Sequence, residues 1–214
     1  MPTGSESHEH GLIAQSVASA ADVREYYNNW ADSYERDVVG WGYNAPAAAV
    51  ELISSRVKRD AQILDAGCGT GLVGRALSPK GYHDVVGVDV SPASLDVAAE
   101  TYCYRALAEV DFNALPTNLL QGSFSALLSI GVLSYVSDVA AVLREFCRVV
   151  EPEGTIVVSE RTDLFAQRNT GAIFEDLEGE GLWRIVTVTE PRPYLPRHPE
   201  YAGIDVQFGV FERE

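Results

Sequence analysis

Basic side chains are scarce in this chain of 214 residues: 16 Lys and Arg stand against 31 Asp and Glu, for a net charge of -15 at pH 7. A surface of that sign repels phosphate backbones, so the composition disfavours nucleic acid as a partner. Cysteine is equally sparse. Cys68, Cys103 and Cys147 are odd in number, and no two have CxxC spacing. That excludes a disulfide scaffold and a structural zinc site of the usual spacing, and it suits a reducing, cytoplasmic setting. No apolar run approaches the roughly 18 residues needed to span a bilayer. The stretch Met1 to His10 has no basic region followed by an apolar one, so it does not read as a signal peptide. Residues 1–20, small and polar, are expected to form a flexible tail ahead of one domain over 21–214. Neither internal repeats nor low-complexity tracts interrupt that stretch. Oligomeric state cannot be read from it.

What is present is an alternation of strand-like and helical patterns, which predicts a mostly parallel sheet with helices on both faces. A helix is expected from Asp22, with Glu25 three residues on in the manner of a capping box. Val23, Tyr26, Tyr27, Trp30 and Tyr34 recur along it at helical spacing. That stripe is either core packing or, over residues 21–43, the inner face of a lid. A second helix follows Asn44, with Pro46 in its first turn. Strands are predicted at 62–65, 85–89, 106–110, 126–130 and 155–159. A helix is expected from Ser137 on the spacing of Val139, Val142, Leu143, Phe146 and Val150, and another over Leu164 to Leu177. Two final strands, 183–189 and 204–211, flank Pro191, Pro193, Pro196 and Pro199. That proline-rich connection must be a loop, either a stiff surface connector or part of a substrate site.

The chemistry concentrates after the first strand, in Asp65-Ala66-Gly67-Cys68-Gly69-Thr70-Gly71. Gly67, Gly69 and Gly71 let the backbone turn sharply and approach a ligand closely. The following helix offers free N–H groups at its start. Asp89 closes the next strand 20 residues after Gly69, where it can accept two ribose hydroxyl hydrogen bonds at the carboxyl edge of a doubly wound sheet. The run from Gly69 to Gly74 also satisfies GxGxxG, a dinucleotide fingerprint. Two features oppose that alternative. Gly67 and Cys68 separate the pattern from its strand, and the Asp65 carboxylate suits a cationic ligand better than a pyrophosphate.

Ile63 to Gly71 resembles the first motif of class I S-adenosylmethionine-dependent methyltransferases. Three further stretches follow in that family's order: Val86 to Ser91, Asp111-Phe112-Asn113-Ala114-Leu115-Pro116, and Phe146 to Gly154. The resemblance runs from about Tyr26 to Arg161. Trp30-Ala31-Asp32-Ser33-Tyr34-Glu35 and Tyr43-Asn44-Ala45-Pro46 are similar to UbiE-like and Williams–Beuren-region methyltransferase-like proteins. Ser125, Glu151 and Glu153 depart from the family pattern, Glu153 standing where glycine is usual.

The resemblance implies a doubly wound, seven-stranded Rossmann-like sheet, mostly parallel with an antiparallel final strand. It implies S-adenosyl-L-methionine as methyl donor and S-adenosyl-L-homocysteine as product. Asp65 would act through the loop or a water on the ammonium group. Asp89 would hold the ribose, Val90 would pack on the adenine, and Asp111 and Phe112 would border it. Ser129 and Ile130 would lie beneath the methionine portion, and Tyr34 would reach over the cofactor. A small-molecule acceptor is expected, with Tyr135, Arg161, Tyr194 and His198 as candidate contacts; surface exposure is the simpler expectation for His198 and for His83. No catalytic base and no metal ligand stands out. A protein methyltransferase, a non-catalytic binding module and an NAD-dependent oxidoreductase are the competing readings.

Overall fold

The computed structural model describes residues 20–214. Its elements run α1 (Ala20–Gly40), α2 (Ala45–Ile53), β1 (Ile63–Ala66), α3 (Leu72–Leu77), β2 (Val85–Asp89), α4 (Pro92–Ala99), β3 (Ala106–Glu109), β4 (Phe124–Ser129), α5 (Val139–Val149), β5 (Val150–Arg161), α6 (Thr162–Gln167), α7 (Thr170–Gly179), β6 (Trp183–Val188), β7 (Arg192–Pro193) and β8 (Asp205–Arg213). Short 3-10 turns lie at Ser78–Lys80 and Leu133–Tyr135.

The strand order is β3-β2-β1-β4-β5-β8-β6, with the two-residue β7 pairing to β8. The first five of these strands are parallel, and β8 runs antiparallel between β5 and β6. This is the expected doubly wound sheet with its antiparallel final strand. It gains only the small β7, formed inside the proline-rich connection.

Period-2 alternation splits the core into two layers, as a sheet covered on both faces requires. Leu64, Leu127, Ile156 and Val158 face one layer with Val142, Leu143 and Phe146 of α5 and Phe174 of α7. Ile63, Ala126, Leu128 and Val157 face the other with Ala49 and Ile53 of α2 and Val73 and Leu77 of α3.

Three expectations need correction. Already helical at Ala20, α1 has Asp22 within its first turn rather than at an N-cap. The helix expected over Leu164 to Leu177 is two helices, because Asn169 takes a left-handed backbone with φ 52° between α6 and α7; asparagine is among the residues that tolerate this turn. Asp138, not Ser137, caps α5, its carboxylate accepting from the Ala141 amide at 2.9 Å. The expected tail lies outside the described residues, apart from Ala20 itself.

Candidate active site

Because β1 and β4 are neighbours whose chains continue in opposite directions across the sheet, a crevice opens at their carboxyl ends, the switch point of a doubly wound fold. A cleft of about 820 Å³, part of it open to solvent, occupies this place. Its floor is the glycine loop after β1. Its walls come from the ends of β2, β3 and β4, and α1 closes it from above through Val23, Tyr27 and Tyr34.

The loop divides its glycines between two tasks. Gly67 has φ +82°, and a Cβ there would sit 2.1 Å from Val132 Cγ2. Gly69 has φ +52° and open space where a Cβ would go. Both line the cleft, with Thr70 beside them. Gly71 does not. It is the left-handed residue that starts α3, and a Cβ there would press on Thr101 and Tyr104. A Cβ on Gly74 or Gly87 would lie within 3 Å of the same Tyr104 ring. Gly71 and Gly74 of the GxGxxG run therefore make room for an internal tyrosine, and Gly71, the glycine that would let a pyrophosphate approach the backbone, does not line the cleft.

Tyr104 was not singled out by the sequence. Its hydroxyl accepts from the Gly74 amide at 3.1 Å and donates to Asp65 Oδ2 at 2.7 Å. Asp65 is fully buried at the end of β1, behind the loop, and its Oδ1 has no hydrogen-bond partner among the described residues. Burial pushes its carboxyl up to about 7, against the opposing pull of the Tyr104 hydroxyl, and nearby Asp89 adds to the rise.

Asp89 sits at the tip of β2 and faces the cleft. Its Oδ2 accepts from the Gly69 amide at 2.8 Å and its Oδ1 from the Ser91 amide at 2.9 Å. One carboxylate thus ties the glycine loop to the start of α4. Burial raises its pKa, and the amide donors restrain the rise. Val90, Asp111 and Phe112 line the same end, with Phe112 set edge-to-face on Phe146 at 5.3 Å. Asp111 Oδ1 accepts from the Asn113 amide at 2.8 Å.

Towards β4 the wall becomes aromatic. Ile130 and Gly131 lead into the 3-10 turn that carries Tyr135, and Tyr194 arrives from the connection between β7 and β8. Tyr27, Tyr34 and Tyr43 complete this end. Tyr27 and Tyr43 were not expected in the site; Tyr27 was visible only as part of the α1 stripe. All five phenols are held above their ordinary pKa by burial, Tyr135 to about 12. They stay protonated at neutral pH.

The remaining candidates lie off the cleft. Ser129 is buried at the end of β4, its hydroxyl without a hydrogen-bond partner among the described residues. Arg161, 6% exposed, donates from Nε to Asp163 at 3.1 Å and lies over the Tyr201 ring at 5.2 Å. His198 is buried rather than exposed. Its ring meets Trp41 at 4.4 Å and Tyr201 at 4.6 Å, and Nδ1 accepts from the Glu200 amide. Trp41 meets Trp30 in turn, so the histidine bolts the far end of α1 to the proline-rich connection. His83 is exposed, as expected. No group of three or more potential metal ligands occurs among the described residues, and no described helix is long and apolar enough to cross a membrane.

Comparison with known proteins agrees with this geometry. Residues 64–158 match the family model described as a methyltransferase domain. Human Methyltransferase-like protein 27 is 31% identical over 176 residues, covering 79% of this chain and 71% of that protein. The ubiquinone biosynthesis O-methyltransferase of Azorhizobium caulinodans is 34% identical over 109 residues, covering 50% of this chain and 42% of its own length. Among solved structures, a TehB-like methyltransferase from Corynebacterium glutamicum superposes with a TM-score of 0.65 at 24% identity, over 89% of this chain and 99% of that one; at that identity it speaks for the fold alone. The chain belongs to the class I S-adenosylmethionine-dependent methyltransferases, and S-adenosylmethionine is its cofactor.

Proposed function

We propose that the cleft transfers the methyl group of S-adenosylmethionine to a small-molecule acceptor, with residues 21–214 acting as one domain and 21–43 as its lid. The observation that carries this reading is the division of one crevice into a glycine-and-carboxylate end and a roofed, tyrosine-lined end. The first suits a nucleoside. The second is covered by α1 and suits a small acceptor better than a chain. The Azorhizobium caulinodans relative, a ubiquinone biosynthesis O-methyltransferase, points the same way.

The residues fit the donor. Gly69 leaves open space in a left-handed turn, and the unpartnered Asp65 Oδ1 lies behind the loop, where it can act on a cationic amino group through the backbone or a water. When bound, the donor supplies a methyl group activated by a positive sulfur. Asp89 would hold the ribose hydroxyls while keeping the Gly69 amide in place. Val90, Asp111 and Phe112 would border the adenine, and Tyr34 would close over the sulfonium. Gly71, by its packing on Tyr104, would shape the loop without touching the ligand. Ser129 would act through the backbone beside Ile130, and Tyr135 and Tyr194 would flank the acceptor. Arg161 and His198 would support this wall from behind. Alignment and water exclusion are what such a displacement needs, and the roof supplies both.

The test is S-adenosylhomocysteine release from the whole protein, offered labelled donor with pools of small metabolites or with basic peptides and proteins. Turnover that depends on a small molecule supports the reading. Turnover with peptides alone overturns it in favour of a protein methyltransferase, whose basic substrates the acidic surface would attract electrostatically.

A further inference from the structure

The tyrosine-lined end of the cleft has a definite geometry. Tyr43 and Tyr194 stand edge-to-face, with ring centroids 5.6 Å apart and planes at 85°. Tyr27 and Tyr135 stand likewise at 5.6 Å and 88°. Tyr34 meets Tyr27 at 6.1 Å and 63°. Both perpendicular pairs line the one cleft, together with Gly131. Among the described residues lining the whole cleft, the ionisable groups besides the phenols are Asp89 and Asp111. No Lys, Arg or His lines it. The four rings thus bring their π-systems to a cleft whose lining carries no basic side chain, inside a protein of net charge -15, with the Arg161 guanidinium behind Tyr135 and Tyr194 and held by Asp163. Electron-rich faces attract cations within about 6 Å of the ring centroid, and quaternary ammonium groups are the ligands aromatic boxes recognise.

Resting on the methyltransferase reading above, we propose that the acceptor is an amine, and that the rings of Tyr27, Tyr43, Tyr135 and Tyr194 form a cage for its nitrogen. The chemistry is consistent with the residues present. The acceptor nitrogen, as the free base, gives its lone pair to the methyl carbon; the carbon–sulfur bond breaks and its electron pair stays on sulfur. The positive charge passes from sulfur to nitrogen within the same cleft, so the cage stabilises it on the nitrogen. A tertiary amine yields a quaternary ammonium, and no proton moves in the step. A hydroxyl acceptor would instead have to lose a proton, and the phenols around it, held protonated by burial, cannot take it, while the cleft's carboxylates stand at the nucleoside end. A carboxylate acceptor would find no Lys, Arg or His among the residues lining the cleft.

The experiment uses the whole protein. Binding of benzyltrimethylammonium is measured by calorimetry, and methyl transfer is measured with N,N-dimethylbenzylamine beside benzyl alcohol, phenol, thiophenol and benzoate. Donor binding is measured in parallel. The cage predicts that the ammonium probe binds, that the amine alone is methylated, and that the product carries a fixed charge detectable by mass. It also predicts that Tyr135→Phe and Tyr194→Phe, which keep the rings, bind the probe within about twofold of the parent, and that Tyr135→Leu and Tyr194→Leu weaken it about tenfold or more, the scale of one cation–ring contact. Methylation of the alcohol, phenol, thiol or acid in preference to the amine overturns the proposal. So does equal loss in the Phe and Leu variants, which would assign the binding to the hydroxyls. A protein that binds donor but neither the ammonium probe nor the amine sinks this proposal alone; a protein that binds no donor sinks the reading beneath it as well.

Discussion

The Tyr104 hydroxyl donates to Asp65 Oδ2 at 2.7 Å and so joins the turn after α4 to the end of β1. The same oxygen accepts from the Gly74 amide in α3. One side chain thus holds the strand before the glycine loop and the helix after it, and the loop is stretched between the two. Removing that oxygen leaves a buried carboxylate with neither oxygen paired. Tyr104→Phe should destabilise the protein by about 1–3 kcal/mol, the cost of unsatisfying a buried group, read as a lower denaturant midpoint. An unchanged midpoint would mean the bond contributes nothing.

Asp65 gives the protein a definite pH response. Its folded pKa is about 7, raised from 3.8 chiefly by burial. The folded state therefore binds a proton that the unfolded chain releases, and the stability this proton brings is full below about 4 and lost as pH rises through 7. Asp65→Asn keeps the shape and removes the titration. Its stability relative to the parent should improve between pH 5 and pH 8, by about 2–3 kcal/mol at 1.36 kcal/mol per pKa unit, nearly all of it below pH 7. A difference that is flat with pH would show that Asp65 does not titrate in this window.

Gly67 and Gly69 look alike in sequence and differ in space. Gly67→Ala would drive a methyl group into Val132 at a backbone angle that disfavours any side chain, whereas Gly69→Ala meets only the backbone cost, about 1–2 kcal/mol. Thermal melting should show the Gly67 variant much the less stable, and donor binding should survive better in the Gly69 variant. Equal melting temperatures would contradict the packing described here.

Glu153 takes φ +65° at the irregular start of β5, in the stretch that resembles a family turn with glycine at this place. A side chain there is strained, so Glu153→Gly should raise stability by up to about 1 kcal/mol after the entropy cost of glycine. Its distance from the cleft predicts unchanged donor binding. A loss of stability would show that the Glu153 side chain makes a contribution larger than the strain.

Much of this was legible in the sequence because it rests on local pattern. β2 occupies the residues expected, since Val85 to Val88 form an apolar run closed by Asp89. The five motif residues Gly67, Gly69, Asp89, Asp111 and Phe112 meet on one cleft because strand ends in a parallel sheet share an edge. What was hidden depends on contacts distant in sequence. Tyr104 lies in a turn without periodicity, and its partners are 30 and 39 residues away. His198 is polar and sits in a proline-rich loop, yet Trp41, far along the chain, buries it. The break at Asn169 carries no glycine or proline, only an asparagine able to turn left-handed. Tyr43 reaches the cleft because its loop crosses the start of the connection that carries Tyr194, a tertiary fact with no local signature.

The central claim is that this crevice holds a nucleoside sulfonium, with Asp89 binding both the ligand and the loop. Calorimetry of S-adenosylmethionine binding to the parent and to Asp89→Ala, with NADH alongside, tests it most directly. Micromolar binding, about -8 kcal/mol, is expected for the parent. The variant should bind tenfold or more weakly, since a hydrogen bond to a charged group is worth about 1.5–3 kcal/mol, and NADH should not bind. Binding of NADH in place of the methyl donor, or donor binding indifferent to loss of the Asp89 carboxylate, would contradict the account.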